Sequence, residues 1–213
     1  MGHREQLLAG AKQCLQRRGY ARTTARDIVA ASGTNLASIG YHFGSKEALL
    51  LAALIEAFGE WDEEFVGFAR TTAQRGGSLV EQWETIWTWV VDSFDRLRPL
   101  MVAHLEAVAQ AQHIPALRQQ LADYYERSRS EYVSTAAELD LSDEEVAGQP
   151  GAGQAAGVDL ATRAVGSFHM ALIDGLMVQW LIDPERTPSA QELGQAWRAL
   201  MAAQSPQGQR SHG

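Results

Sequence analysis

The sequence TTARDIVAASGTNLASIGYHFGSKEALL, residues 23–50, decides the predicted fold of this 213-residue chain. It contains two short helical patterns, and Gly33 separates them. Thr24 and Asp27 have the spacing of a capping box, which predicts the start of the first of these helices. The second is predicted from about residue 35 to residue 43. Two short helices joined by a tight turn are typical of a helix-turn-helix motif.

A third helix precedes this stretch. Its apolar residues repeat at intervals of three and four, which predicts one buried face; they are Leu7, Leu8, Ala11, Cys14 and Leu15. Gly19 is predicted to end this helix, and Ser45 to cap a fourth. Periodicity alone fits both a helix-turn-helix unit and another small helical bundle.

Residues 23–33 and 38–50 resemble the N-terminal signature of TetR-family transcriptional regulators, over roughly 45 contiguous positions. The resemblance implies a helix-turn-helix DNA-binding domain over residues 1–47 and a helical ligand-binding and dimerisation domain over residues 48–213. One departure is Gly40, because the family usually has an aromatic residue there. A phosphate contact is therefore expected to be missing.

The remaining chain has helical patterns throughout, so the fold class is predicted to be all-α, with about nine helices in total. Ser78 starts one helix and Ser189 starts the last, each with a glutamate three residues later. Pro99 and Pro115 are each expected in the first turn of a helix. Residues 147–157 contain mainly Gly, Ala and Gln, which predicts an exposed loop.

Charge is distributed unevenly along the chain, whose net charge is -8. Residues 1–50 contain seven basic and three acidic side chains, a net charge of +4, and the other 163 residues contain 11 basic and 23 acidic ones, a net charge of -12. DNA would be attracted to the N-terminal end alone. Secretory and uncharged membrane-spanning patterns are not found, so we expect a cytoplasmic protein without a membrane partner.

The second helix of a helix-turn-helix enters the major groove, which places the predicted DNA contacts at its start and at the helix ends around it. They are Thr24, Thr34, Asn35, Ala37, Ser38, Tyr41, His42 and Lys46. Asn35 can pair with adenine through two hydrogen bonds, and Ala37 can contact a thymine methyl group. The resemblance implies phosphate or base contacts for Tyr41 and Lys46. Local packing is an equal alternative for His42.

Aromatic and apolar residues of the later helices form a candidate pocket: Trp83, Trp87, Phe94, Met101, Leu105 and Tyr125. An ordinary core is the alternative, because buried helices commonly carry such stripes. Binding of a small effector is implied by the resemblance. The few charges among these residues favour a largely apolar effector.

Small and apolar residues near the C-terminus suit close packing between helices, and the predicted dimer contacts are Ala164, Phe168, Ala171, Leu172, Gly175, Leu176 and Trp197. TetR-family members dimerise through their last two long helices, so the resemblance implies a homodimer on a palindromic operator. Closure of the monomer core by the same residues is the alternative.

Catalytic and metal-binding patterns are missing from the sequence. His104, His113 and His169 lack the spacing of metal ligands on a helix, and no nucleophile elbow or phosphate loop is found. We therefore predict a ligand-responsive repressor without enzyme activity, metal or cofactor. An activator, a regulator without a ligand, and a helical enzyme or carrier that no longer binds DNA are the alternatives.

Overall fold

The computed structural model describes residues 2–138 and 154–204, and all regular structure in these ranges is helical. The eight α-helices are α1 His3–Arg18, α2 Ala25–Ser32, α3 Leu36–Phe43, α4 Lys46–Arg75, α5 Leu79–Ala111, α6 Pro115–Glu138, α7 Gln154–Ile182 and α8 Ala190–Gln204, and a 3₁₀ turn covers Pro184–Arg186. The all-α prediction is confirmed. The number of helices is close to the nine predicted.

Side-chain caps fix the helix starts at the predicted positions. Thr24 Oγ1 accepts a hydrogen bond from the backbone N–H of Asp27 at 3.2 Å, and the Asp27 carboxylate accepts one from the Thr24 N–H at 2.9 Å. The same reciprocal pattern joins Ser78 to Glu81 and Ser189 to Glu192. Such pairs satisfy N–H groups that the first turn of a helix leaves without partners.

The predicted helix start at Pro99 is wrong, because α5 continues through this residue. Proline removes one helical hydrogen bond and crowds the carbonyl group four residues earlier, which here belongs to Asp95. Leu97 and Met101 are buried on either side of the proline. We attribute the continuity of α5 to this packing, which offsets the lost hydrogen bond.

The predicted loop over residues 147–157 is also partly wrong. Residues 154–157 belong to the first turn of α7, and residues 147–153 lie outside the described residues. Alanine and glutamine have high helix propensity, and two alanines and one glutamine occupy this turn. Their propensity outweighs that of the single glycine.

A close approach of two helices builds the N-terminal unit. A Cβ atom at Gly10 of α1 would lie 2.7 Å from Ser32 Cβ and 2.9 Å from the backbone nitrogen of Ser32 in α2. Only glycine fits at this distance without a shift of one helix. Leu7 and Leu15, on the same side of α1, are completely buried.

Helix α4 joins the unit to the body, since it contacts α1 and α3 on one side and α5 and α6 on the other. Leu49, Leu50 and Leu51 are completely buried in its second turn, and Trp61 and Phe65 are buried further along. The apolar core is therefore continuous from the unit into the body. The predicted domain boundary at residues 47 and 48 falls inside the first turn of α4.

Two polar links also connect the unit to the body. The Lys12 ammonium of α1 lies 2.6 Å from a Glu56 carboxylate oxygen and 2.5 Å from a Glu60 oxygen, both on α4. The backbone N–H of Ala21, between α1 and α2, donates a hydrogen bond of 2.9 Å to the Glu106 carboxylate of α5. Two of the long helices, α4 and α5, therefore hold the DNA-binding unit directly.

Candidate DNA-binding surface and effector cavity

The outward face of α3 is mainly apolar and uncharged. Leu36 is 53% exposed and Tyr41 is 86% exposed, and Ala37 and Gly40 are exposed between them. Ile39 packs inward on the opposite side of the helix. In helix-turn-helix proteins the second helix of the motif enters the major groove, so this exposed face is the candidate DNA-binding surface.

The predicted base contacts at the start of α3 are partly occupied by local hydrogen bonds. Asn35 caps the helix, and its Oδ1 accepts hydrogen bonds from the Ser38 N–H at 3.0 Å and the Ser38 hydroxyl at 3.2 Å. Ser38 is 8% exposed, and the hydroxyl of Thr34 lies 2.7 Å from that of Ser32. Asn35 therefore cannot use its amide oxygen for adenine without losing the cap, and Ser38 does not face the surface.

Thr24 lies at the N-terminus of α2, where its hydroxyl is fully used by the capping box with Asp27. The hydrogen bonds from Thr24, together with Arg18 nearby, hold the pKa of the Asp27 carboxyl below its usual value. The side chain of Thr24 is thus a cap. A phosphate here would have to bind through backbone N–H groups, beside a carboxylate.

Lys46 combines a structural contact with a position at the edge of the same surface. Its ammonium donates a hydrogen bond of 3.1 Å to the Thr23 carbonyl and lies 3.2 Å from the Glu47 carboxylate. An ammonium group has three N–H donors. The first contact fixes the loop before α2, and a phosphate would have to compete with Glu47.

Tyr41 and Gly40 have no such structural role. The Tyr41 ring touches only its neighbour His42 among the described aromatic rings, at a centroid distance of 4.8 Å and nearly perpendicular. His42 is half-buried. A Cβ atom at position 40 would have no neighbour within 4 Å, so the space beside Tyr41 is open.

Leu36 was not among the predicted contacts. It is the first residue of α3, three residues before the buried Ile39, and its side chain is exposed. The N-terminal unit also carries exposed arginines, at the end of α1 and around the start of α2; they are Arg17, Arg18, Arg22 and Arg26. The α3 face and these cations together form a surface suited to duplex DNA.

A cavity of about 50 Å³ lies in the body, between α4, α5, α6 and α7. Its walls are mostly aromatic or apolar: Phe58, Trp61, Phe94, Leu97, Met101, His104, Tyr124, Tyr125, Ser128, Tyr132, Met170, Ile173, Asp174 and Met177. Phe94, Met101 and Tyr125 belong to the predicted pocket. Four separate helices are needed to form it.

The other three predicted pocket residues lie elsewhere. Trp83 and Trp87 pack against each other at 5.5 Å, and the ring of Trp87 stacks on His169 of α7 at 6.1 Å. Leu105 is 37% exposed and does not line the cavity. The two tryptophans therefore pack within the body and do not line the cavity, although the helical pattern alone predicted that both contact a ligand.

A hydrogen-bonded chain of three side chains lines the cavity. Tyr125 donates its O–H to Asp174 Oδ2 at 2.9 Å, so its oxygen accepts from Nε2 of His104 at 3.1 Å. Burial raises the pKa of Asp174, although the Tyr125 hydrogen bond acts in the opposite direction. Burial also lowers the pKa of His104. Sequence spacing could not show this chain, because its members lie on three helices.

Two further buried polar pairs border the cavity. Tyr132 donates to Asp62 Oδ1 at 2.8 Å, and the Trp61 indole N–H donates to Ser93 Oγ at 3.1 Å. Burial raises the pKa of the Tyr132 hydroxyl, and the Asp62 carboxylate acts in the same direction. These bonds hold the aromatic walls in fixed orientations.

One side of α7 is an exposed apolar stripe. It repeats at intervals of three and four and consists of Ala164, Phe168, Ala171, Gly175, Val178 and Ile182. Phe168 is 46% exposed and contacts Trp197 of α8, itself 37% exposed, at 5.8 Å. Of the other predicted dimer residues, Leu172 is half-buried, and Leu176 is 1% exposed and belongs to the protomer core.

The segment Arg163–Ile182 is long and apolar enough to cross a membrane by length and composition, with a mean hydropathy of 1.4. Only 28% of it is buried within the protomer. Core helices of soluble proteins pass the same test, so this is weak evidence for a membrane span. Apolar residues therefore lie on both the buried and the uncovered side of α7.

Two family models match the chain, one in its N-terminal part and one over most of the helical body. Residues 7–53 match the bacterial regulatory proteins of the TetR family, and residues 80–204 match the C-terminal domain of BetI-type transcriptional repressors. The chain belongs to the TetR family. The predicted resemblance is thereby confirmed, and the unit of α1 to α3 is the helix-turn-helix of this family.

Curated relatives of this TetR-family chain match it in the N-terminal region. The transcriptional repressor AcnR of Corynebacterium efficiens is 41% identical over 49 residues, which are 23% of this chain and 26% of AcnR. The dual regulator CecR of Shigella flexneri is 41% identical over 64 residues, 30% of this chain and 26% of CecR. The match thus spans about a quarter of each relative.

Solved structures extend the likeness to the whole TetR-family fold. A transcriptional regulator from Rhodococcus sp. RHA1 has a TM-score of 0.68 and 18% identity, with 94% of this chain and 96% of that chain covered. The multidrug binding protein EbrR has a TM-score of 0.62 and 19% identity, with 94% and 95% covered. At these identities the likeness concerns the fold alone.

Proposed function

We propose that this TetR-family chain is a cytoplasmic transcriptional repressor that binds a palindromic operator as a homodimer and is released by a small, mainly apolar effector. The observation that carries the proposal is the exposed face of α3, with Tyr41 86% exposed, in a unit that also carries exposed arginines. An aromatic hydroxyl has no packing role there. It is available for a DNA phosphate or base.

The exposed stripe of α7 supports the homodimer. Its small residues Ala164, Ala171 and Gly175 permit close helix approach, and Phe168 and Ile182 supply large apolar surfaces that the protomer leaves uncovered. A second copy, related by a twofold axis, would cover this stripe with itself. The same axis would place two α3 helices about one DNA turn apart, on the two halves of a palindrome.

The small size of the cavity sets a condition on control by an effector. Ligand pockets usually have volumes of roughly 300–1,000 Å³, whereas this cavity has about 50 Å³. An effector must therefore move the walls apart. Phe58 of α4 and His104 of α5 are wall residues, and both helices hold the DNA-binding unit through Glu56, Glu60 and Glu106. Expansion would thus change the position of α1 to α3.

A structural relative supports the choice of a small molecule as effector. EbrR is described as a multidrug binding protein and is solved with imidazole and with proflavin. We transfer to this chain only the capacity of the fold to hold a small molecule.

Selection from random duplex DNA tests the proposed function. We expect the purified protein to enrich a palindrome, with affinity that falls as salt increases because phosphate contacts release counterions. Tyr41→Ala should weaken binding about tenfold, the equivalent of roughly 1.4 kcal/mol. Gln16→Ala, at an exposed position of α1 away from the α3 face, is the matched control. Failure to enrich any site at low salt would contradict the proposal.

A further inference from the structure

The exposed face of α3 has very few hydrogen-bonding groups. Four exposed residues share this face at helical spacing: Leu36, Ala37, Gly40 and Tyr41. Tyr41 is the last of them, and the other three have no polar side-chain atom. Helix α3 is described over its whole length and contains no lysine, arginine, asparagine, glutamine or acidic residue. Its first turn therefore presents only methyl and methylene groups to a major groove.

The polar residues at the start of α3 are used by the protein itself. The amide oxygen of Asn35 accepts hydrogen bonds from the Ser38 N–H at 3.0 Å and from the Ser38 hydroxyl at 3.2 Å. A carbonyl oxygen has two acceptor sites, and a bidentate contact with adenine needs both the oxygen and the nitrogen of the amide. The Thr34 hydroxyl lies 2.7 Å from that of Ser32. Recognition of adenine by Asn35 would therefore cost the helix cap.

Guanine is most often recognised by arginine or lysine, and the cations nearest to α3 in the sequence are badly placed for this. Lys46 follows the C-terminal end of α3, whereas helix-turn-helix proteins contact bases from the N-terminal part of the recognition helix. Its ammonium also contacts the Thr23 carbonyl and the Glu47 carboxylate. Arg26 belongs to α2, and the first helix of the motif crosses the phosphate backbone.

Thymine is the base whose major-groove edge matches the first turn of α3. It presents a C5-methyl group, which apolar side chains contact. Leu36 is 53% exposed, so contact with a methyl group would remove apolar surface from water. A Cβ atom at Gly40, one turn further along, would have no neighbour within 4 Å, and the glycine lets a base pair approach the helix closely.

We propose that Leu36 and Ala37 determine operator specificity by contact with the C5-methyl groups of thymines, so that each half-site contains thymine under the first turn of α3. Leu36 makes the larger contribution, because its side chain has the larger apolar surface. The inference rests on the proposed function, since it names the bases that the proposed operator presents to α3.

Replacement of thymine by uracil tests this contact, because uracil lacks the methyl group and keeps the hydrogen-bonding groups. Binding of the full-length protein would be measured by fluorescence anisotropy, with the operator selected from random DNA and with versions that contain deoxyuridine at one symmetric pair of positions. We expect about tenfold weaker binding at the contacted pair, since one apolar contact is lost in each half-site. Pairs outside the contact should change affinity by less than about twofold.

Leu36→Ala separates the methyl contact from other effects of uracil. Alanine has the highest helix propensity and Leu36 is exposed, so α3 should be kept, and thermal unfolding establishes that the variant is folded. The variant should bind the thymine operator about tenfold more weakly and distinguish thymine from uracil by less than about twofold. Leu105→Ala, at a 37% exposed leucine of α5, is the matched control and should keep the preference of the parent protein.

Two results would overturn the inference and leave the regulator proposal standing. One is an operator that binds equally well with uracil at every thymine pair. The other is a full preference for thymine in folded Leu36→Ala, which would assign the effect to the shape of the DNA. Failure to enrich any sequence at low salt would instead overturn the proposed function, and the inference with it.

Discussion

The DNA-binding surface and the effector cavity differ in how far apart their side chains lie in the sequence. The α3 face and its neighbours come from residues 34–46, where each exposed position is set by its place in one short helix. The cavity takes residues from Phe58 to Met177 on four helices. The first surface is therefore specified locally, and the second exists only after the body has packed.

This difference explains which residues could be assigned in advance. A cap, a turn glycine and a helical period fix which side of α3 faces outward, so Tyr41 and Ala37 were placed correctly on its surface. The cavity depends instead on how aromatic residues from different helices pack together. Trp87 stacks on His169 and does not line the cavity, whereas Tyr125 does.

The largest expected effect comes from disrupting the proposed dimer, which should weaken operator binding although the DNA-binding surface is unchanged. Phe168→Glu with Ile182→Glu places four carboxylates in the proposed twofold interface and leaves every residue of the DNA-binding surface unchanged. We expect monomers by light scattering, and operator affinity at least 100-fold weaker because the second half-site is no longer tethered. Val102→Glu, an exposed apolar position of α5, is the control and should remain dimeric.

A pair of glycine variants tests how locally the N-terminal unit is specified. Gly10→Ala forces α1 from α2, because the new Cβ would lie 2.7 Å from Ser32, and should reduce the free energy of unfolding by about 1–3 kcal/mol. Gly40→Ala enters open space and should increase it by up to about 1 kcal/mol. Urea unfolding measures both. Equal effects at the two positions would contradict the close approach.

A smaller effect is expected from removing the hydrogen bond that links α5 to the DNA-binding unit. Glu106→Ala removes the acceptor of the Ala21 N–H and should weaken effector-induced operator release about fivefold, close to 1 kcal/mol of coupling free energy. Effector affinity without DNA should change little. Glu64→Ala removes an ion pair with Arg96 within the body and is the control. Equal effector-induced release from operator DNA in the two variants would show that the Glu106 hydrogen bond does not carry the coupling.

The smallest expected effect is on the pH dependence of stability, through His169, which stacks on Trp87. Burial lowers the pKa of His169 below 6.5, although the contact of its Nδ1 with the Val165 carbonyl acts in the opposite direction. The folded protein therefore binds this proton less readily than the unfolded chain, and stability present above about pH 6.5 is lost as pH falls through the lowered pKa.

His169→Gln should reduce that loss by at most about 1.4 kcal/mol per pH unit, the limit for one proton. Urea unfolding at several pH values from 7.5 to 5 measures it. His113→Gln, at an exposed position after α5, provides the comparison. A pH profile unchanged by His169→Gln would indicate that other groups account for the dependence.

Most of the fold was predictable, and the physical reason is capping. Thr24, Ser45, Ser78 and Ser189 start helices where the sequence places them, because a side chain that accepts a backbone N–H acts within three residues. Pro99 was misassigned as a helix start. Local chemistry favours such a start, whereas the packing of α5 keeps the helix continuous.

The candidate sites were predictable in part. Tyr41 and Phe168 were predicted as contacts from residue type, and their exposure follows from their helical positions, while the contacts themselves stay predictions. Asn35 and Ser38 are polar residues at the expected site, but their hydrogen-bonding atoms serve the start of α3, which spacing does not reveal. Asp174 was missed because its importance comes from the aromatic neighbours that α4 and α6 bring to it.

Pro99 gives α5 a mechanical property that its unbroken helical path conceals. The missing hydrogen bond leaves a point of low bending stiffness between Asp95 and Pro99, next to the cavity-wall residues Leu97 and Met101. Glu106 lies seven residues beyond it, roughly 10 Å along the axis at about 1.5 Å per residue. A bend of about 10° would carry the Ala21 anchor sideways by about 2 Å, so α5 can act as a lever with its fulcrum at the cavity.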